Sequence, residues 1–168
     1  MTQWQVKTPV ALLIFNRPDL TAQVFEAIRQ AKPSKLLVVA DGPRPDRAGP
    51  ADKCSAARAS IDLVDWDCQV LTNYSDANLG CRHRVSSGLT WVFEQVEEAI
   101  ILEDDCLPHP TFFRFCEELL GQYQDDDRVM HISGDSFYPE QHSIPDSYYA
   151  SRYNYIWGWA SWRRAWQK

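Results

Sequence analysis

The sequence predicts an α/β protein built on an open, mostly parallel sheet with helices on both faces. Two observations predict the class. Short, continuous apolar runs recur along the chain, as strands buried on both faces require. Between them lie segments whose apolar residues fall at helical spacing. The 168 residues suffice for one domain with a sizeable core. No internal repeat and no linker divides them, so the chain reads as a single domain over 1–168.

The elements follow in order. Val10 to Phe15 is the first strand-sized run, broken by Asn16-Arg17-Pro18-Asp19, where Pro18 suits a helix start. Leu20, Val24, Ile28 and Ala31 continue at helical spacing until Pro33. Leu36 to Ala40 is the second strand, turned by Asp41-Gly42-Pro43. Arg44 to Pro50 reads as a surface loop and Ala56 to Val64 as a weaker helix. Val70 and Leu71 mark a third strand ending near Asn73. Val85, Leu89, Val92, Phe93 and Val96 share one helical face, and Ala99 to Leu102 forms a fourth strand. Pro110 opens a helix whose apolar side carries Phe112, Phe113, Phe115, Cys116, Leu119 and Tyr123. Val129 to Ile132 is a fifth strand, residues 138–150 are loop, and Trp159, Trp162 and Trp166 sit on a short terminal helix.

Composition narrows the function. Hydrophobic residues at 45% and charged residues at 24% are ordinary globular usage and exclude a disordered chain. A net charge of −6 argues against a nonspecific nucleic-acid binder, which presents a basic face. It leaves room for one anionic ligand, since local arginines and a metal reverse the local field. Five cysteines, at 54, 68, 81, 106 and 116, include no CxxC pair. That spacing speaks against a disulfide framework and a structural zinc site, and for reduced thiols in a cytoplasmic protein. No run reads as a signal peptide, and the longest apolar runs are strand-sized, so no membrane span is expected.

In open parallel sheets, ligands collect at the C-terminal ends of the strands. The polar residues there are Asn16-Arg17, Asp41, Asn73 to Gly80 and Glu103-Asp104-Asp105. The acidic triplet carries the most chemistry. Adjacent carboxylates repel one another, and a hard divalent cation such as Mg2+ or Mn2+ compensates them through oxygen ligands. The competing account is a solvated turn with acids that cap the helix at Pro110. Asp125-Asp126-Asp127 is the internal comparison: it follows an amphipathic helix and reads as a solvated loop. Arg17 has the fork that matches a diphosphate, or is a surface residue at a strand–helix junction. Asp41 either accepts from a uracil N–H or shapes the turn before Gly42. Arg82, His83 and Arg84 start a helix, where free N–H groups favour anions, or are merely a charged helix end. His83 as a metal ligand lacks any partner at ligand spacing. The tryptophans of the tail either stack on sugar rings or pack in the core, and packing is the expectation for most of them.

Taken together, Phe15-Asn16-Arg17, Val39-Ala40-Asp41-Gly42, Asn78-Leu79-Gly80 and Ile101-Leu102-Glu103-Asp104-Asp105 resemble the GT-A fold glycosyltransferases. The resemblance is to the N-acetylglucosaminyltransferase I group and its bacterial relatives, the hemolytic-protein-like sugar transferases. It runs from about Pro9 to Trp166. It implies a Rossmann-like nucleotide-binding domain that transfers a sugar from a nucleotide-sugar donor, a UDP-sugar, to a glycan or other hydroxyl acceptor. By the same resemblance Asp105 binds the metal, Mn2+ or Mg2+. Asp104 reaches the ribose or a metal-bound water, Glu103 the donor sugar, and Asp41 the uracil. Arg17, Asn78 and Gly80 lie near the nucleotide, and His83 or Arg84 sits on the helix that closes over the base. In the family, the segment after the tryptophan-rich region supplies an acidic general base. Here that motif is expected beyond Lys168, leaving the acceptor region incomplete. Asp135, in Ser133-Gly134-Asp135, is the nearby acid expected to stand in for it.

Three rival readings differ in class. A catalytically incomplete sugar-binding module would use the tryptophans as its surface and the acids as helix caps. A phosphoacceptor signalling domain needs acids after its first strand, where this chain has Asn16 and Arg17. A sugar-nucleotide-making enzyme needs a glycine-rich phosphate loop there, and none follows.

Overall fold

The computed structural model describes residues 4–45, 50–135 and 146–168. Its strands are β1 (Val10–Ile14), β2 (Lys35–Ala40), β3 (Gln69–Tyr74), β4 (Glu98–Glu103), β5 (Ile132–Ser133) and β6 (Trp159–Trp162). Its helices are α1 (Pro18–Ala31), α2 (Pro50–Ala59), α3 (Cys81–Gln95), α4 (Thr111–Gln122) and the single turn α5 (Arg163–Trp166). The strands make one six-stranded sheet in the order β3-β2-β1-β4-β6-β5. β1 to β4 run parallel, while β6 is antiparallel to β4 and β5 antiparallel to β6. The expected α/β class and mostly parallel open sheet are therefore present.

The alternation of side chains along the central strands builds two cores. Val10, Leu12 and Ile14 of β1, with Leu36 and Val38 of β2, face α1, α2 and α4. Ala11, Leu13, Leu37 and Val39 face α3 and its Leu89, Val92 and Phe93. Phe113 and Phe93, both 1% exposed, anchor the two sides; full burial of each is worth about 1.5–3 kcal/mol. Pro18 opens α1 because its missing N–H costs nothing at the first turn. Lys32, at φ 49°, closes the helix, its N–H donating to the Ile28 carbonyl at 2.9 Å.

Three local expectations are corrected. The second helix runs over Pro50–Ala59 and passes into a 3-10 turn at Ser60–Leu63, in place of a helix over 56–64. Its buried apolar positions are only Cys54, Ala57 and Ile61, too few for the periodicity to mark its start. The fifth strand shrinks to two residues, because Val129 N–H closes a turn onto the Asp126 carbonyl at 3.0 Å. The tail forms a strand before its short helix. Trp159 and Trp162 pair with Ile101 and Glu98 across β4 and β6, and only Trp166 lies on α5. A spacing of three suggested a helix face, but the open edge of β4 supplies hydrogen bonds that only a strand can take. The loop expected at 138–150 falls mostly outside the described residues, as does much of the loop expected at 44–50.

Candidate functional site at the sheet switch point

β1 is flanked by β2, reached through α1, and by β4, reached through α3. The direction of winding reverses between β1 and β4. Loops leaving the two strand ends therefore diverge and open a crevice, which is where open α/β sheets bind ligands. Leu13 of β1 pairs with Glu103 of β4, so the two strands end level. Phe15-Asn16-Arg17 leaves one side of the crevice and Asp104-Asp105-Cys106 the other.

Arg17 spans it. Its Nη2 donates to Asp104 Oδ1 at 2.5 Å and its Nη1 to Asp105 Oδ2 at 2.7 Å. The second Asp104 oxygen accepts from the Phe15 N–H at 3.1 Å. Asp104 is 2% exposed, whereas Arg17 and Asp105 remain open to solvent on one side. Burial pushes the Asp104 carboxyl above its usual range, and Arg17 and the Phe15 N–H pull it back only in part. Burial also works against the charge of Arg17, but the two aspartates outweigh it and hold the guanidinium firmly charged. Glu103 is half-buried and has no side-chain hydrogen bond among the described residues. Burial first, then the charges of Asp105 and Asp104, raise its pKa. A turn closed by Cys106 N–H on the Glu103 carbonyl, at 3.1 Å, keeps the three acids together.

A second cluster sits at the end of β2. Asp41 is buried, and its carboxylate accepts from the N–H groups of Gly42 (2.9 Å), Leu79 (2.9 Å) and Gly80 (3.1 Å) and from Asn78 Nδ2 (3.0 Å). These bonds occupy the lone pairs expected to meet a base. Asn78 Nδ2 also donates to the Gly42 carbonyl at 2.9 Å. Gly80 adopts φ +78°, a conformation that favours glycine, immediately before α3. Gly42 admits no side chain, because a Cβ there would lie 2.6 Å from the Ala77 backbone. Asp41, Asn78 and Gly80 thus form one scaffold that aims the start of α3 over the crevice side of the sheet.

On α3, His83 and Arg82 are exposed, while Arg84 is buried. Arg84 donates to the Ala40 carbonyl at 3.1 Å and to Asn73, through both its carbonyl and its Oδ1. It braces the ends of β2 and β3, leaving His83 as the accessible member of the pair.

Asp135 follows β5 and lines the same broad cleft as Glu103 and Asp105, beneath the segment 146–158. Its Oδ2 is buried without a hydrogen-bond partner among the described residues. Burial raises its pKa, opposed by a backbone hydrogen bond from Trp157. Gly134 N–H donates to the Gly158 carbonyl at 2.9 Å and fixes this corner against the tail. Trp159 and Trp162 are buried in the core as expected, while Trp157 is 65% exposed beside the cleft.

The donor set suits a cation that brings ligands of its own. Among the described residues no group of three histidines, cysteines or acids converges into a complete metal cage. Asp105 keeps one oxygen clear of Arg17, with only the Cys106 thiol near it at 3.8 Å. Mg2+ and Mn2+ sites at phosphates need one or two carboxylates, with phosphate and water completing the shell. The residues therefore fit such an ion held together with an anionic ligand.

Sequence reasoning missed three residues here. Arg58 Nη2 donates to the carbonyls of Asp41 (3.1 Å) and Ser75 (2.7 Å) from a helix too weakly patterned to single it out. His131 stacks on Trp159 at 4.8 Å and bonds the Tyr155 carbonyl through Nε2 at 2.8 Å, holding the 146–158 segment at the cleft. The Phe15 N–H contacts Asp104 through the backbone, which leaves no mark in side-chain identity. Asp125, Asp126 and Asp127 behave as a solvated charged loop, with Asp126 paired to Arg128 at 2.7 Å and Asp127 to Lys168 at 3.0 Å. No helix among the described residues is long and apolar enough to cross a membrane. A scan against family models finds none that matches the chain, and a search of curated proteins finds no match.

Proposed function

We propose that the chain is the donor-binding domain of a metal-dependent, GT-A type glycosyltransferase, moving a sugar from a nucleoside diphosphate, a UDP-sugar, to an acceptor hydroxyl. The observation that carries this reading is the placement of Arg17, Glu103, Asp104 and Asp105 around the switch point between β1 and β4. A cationic fork and carboxylates facing one crevice suit a diphosphate and its counter-ion.

In this reading Asp105 holds the Mn2+ or Mg2+ ion. When bound, that ion neutralises charge developing on the leaving diphosphate. Asp104, locked by Phe15 and Arg17, keeps the strand end in position. Glu103 has free acceptor capacity for hydroxyls of the donor sugar. The scaffold of Asp41, Asn78 and Gly80 presents the first turn of α3, with His83, to the nucleotide. The acceptor oxygen attacks the anomeric carbon, the carbon–oxygen bond to the diphosphate breaks, and a carboxylate takes the acceptor proton. Asp135, one of the acids that line the cleft, is assigned that role in this reading, and its raised pKa favours proton uptake. Inversion of the anomeric centre follows from the resemblance alone.

UDP binding measured by calorimetry with manganese, then with a chelator, then with Asp105→Ala tests the reading. Binding that needs both the metal and Asp105 supports it. Unchanged UDP affinity in Asp105→Ala counts against the site. A second reading, a sugar-binding module without catalysis, draws on the exposed Trp157 and Tyr153 beside the cleft. Glycan binding that ignores metal, with no affinity for UDP, would favour it.

A further inference from the structure

Away from the crevice, the sheet ends at β3. Every residue of β3, Gln69–Tyr74, pairs in register with Lys35–Ala40 of β2. Gln69 N–H donates to the Ser34 carbonyl and Ser75 N–H to the Ala40 carbonyl, both at 2.9 Å. Alternate residues of a parallel strand bond the same neighbour. Gln69, Leu71 and Asn73 therefore turn their backbone groups to β2, and Val70, Thr72 and Tyr74 turn theirs outward. None of those three makes a backbone hydrogen bond on the outer side among the described residues. Val70 packs on the first core and Leu71 on the second, so the strand is held from both faces with its edge open.

Exposed edges are usually blunted by a charge, a proline or a bulge within the strand. β3 has no charged residue and no proline, and its pairing with β2 skips no residue. Its charges sit just beyond its ends: Asp67 before it and Asp76 after it, both exposed and outside every ion pair among the described residues. Arg58, over the Tyr74 ring at 4.8 Å, is engaged by the Asp41 and Ser75 carbonyls. The two aspartates discriminate between partners. A second copy laid antiparallel and centred on Thr72 would set Asp76 opposite Cys68, beside Asp67 of the other copy, at both ends of the pair. Like charges so placed oppose pairing. A strand with lysine or arginine at its ends turns the same positions into attraction.

We propose that the outer edge of β3 is a docking site for an extended segment of another protein, uncharged in its middle and basic at both ends, which adds to the sheet as a further strand. Backbone hydrogen bonds to Val70, Thr72 and Tyr74 supply the attachment, and Asp67 and Asp76 the selectivity. None of these residues belongs to the donor site proposed above.

The probe is a synthetic peptide, Thr-Val-Thr-Val-Thr between paired lysines, titrated into the intact chain and followed by amide hydrogen exchange. Exchange at Val70, Thr72 and Tyr74 should slow at least about tenfold, while Leu71 and Asn73, already bonded to β2, change little. The same peptide with glutamates for lysines should bind at least about tenfold more weakly. Asp67→Lys combined with Asp76→Lys should reverse that preference. Thr72→Pro removes the central outward N–H and leaves the ladder to β2 intact, so it should abolish the alternating protection. Where that variant does not fold, the lysine peptide N-methylated along its middle, which cannot donate to the edge, should protect nothing on the unaltered chain. The proposal is overturned if the lysine peptide gives no alternating protection, or if the glutamate peptide protects the edge equally well. It is also overturned if the chain alone forms a dimer in sedimentation equilibrium that Thr72→Pro dissolves, which assigns the edge to a second copy.

Discussion

Asp41 offers the sharpest test of how the site is held. Its carboxylate accepts three backbone N–H groups and one side-chain amide, one from the turn after β2 and three from the loop that leads into α3. A hydrogen bond to a charged acceptor contributes about 1.5–3 kcal/mol, so four would reach about 6–12 kcal/mol if none were recovered. Some are recovered. Leu79 is 44% exposed and the space above Gly80 is open, so water can reach those two N–H groups once the carboxylate is gone. The Gly42 N–H is buried and stays unpaired. Asp41→Ala should therefore destabilise the fold by about 3–4 kcal/mol, a large part of the 5–15 kcal/mol that typical domains possess. Asp41→Asn keeps the shape but turns an NH2 group towards N–H donors. It should cost about 2 kcal/mol, roughly half of the charged acceptor's contribution. Urea unfolding with linear extrapolation measures both, and an unchanged slope would localise the effect to the folded state. Amide hydrogen exchange at Leu79 and Gly80 should accelerate in parallel. A cost under about 0.5 kcal/mol for Asp41→Ala would refute the argument, because ordinary surface substitutions produce that much.

Two further outcomes follow from the same geometry. Burial, then the neighbouring charges of Asp105 and Asp104, opposes ionisation of Glu103. Its folded pKa is raised, so the folded state holds the proton longer than the unfolded chain. The penalty is absent below the unfolded glutamate pKa of about 4.3, grows as pH rises through the folded value, and is full above it. Glu103→Gln should therefore raise the melting temperature of the ligand-free protein at pH 8 and leave it unchanged near pH 4. Equal gains at both would show that the charge is not the cause. Gly42→Ala drives a Cβ to 2.6 Å from the Ala77 backbone, and should cost about 1–3 kcal/mol by overpacking, read in the same urea titration.

Much of the fold was legible because burial on two faces leaves a plain signature. The runs at Val10–Phe15, Leu36–Ala40 and Ala99–Leu102 contain no polar residue, and all three became central parallel strands. The acids were conspicuous for the same reason, since charge following such a run must lie at the mouth of the sheet. The tail was misread because tryptophans three apart fit a helix face as well as a strand packed on both sides. Only the unfilled edge of β4 distinguishes the two.

What the sequence determined by itself was the class of fold, the central strands and the polar residues that end them. These depend on local patterning, which is written residue by residue. What tertiary structure decided was the partnership among those residues. Arg17 and Asp105 are 88 positions apart and Asp41 and Gly80 are 39 apart. Whether each side chain faces a ligand or another part of the chain depends on which strands become neighbours. The sheet order brings β4 beside β1 and so sets Arg17 against the aspartates. Carboxylates and a guanidinium that could each meet a ligand instead meet one another first, because opposite charges at hydrogen-bonding distance satisfy themselves wherever the fold allows.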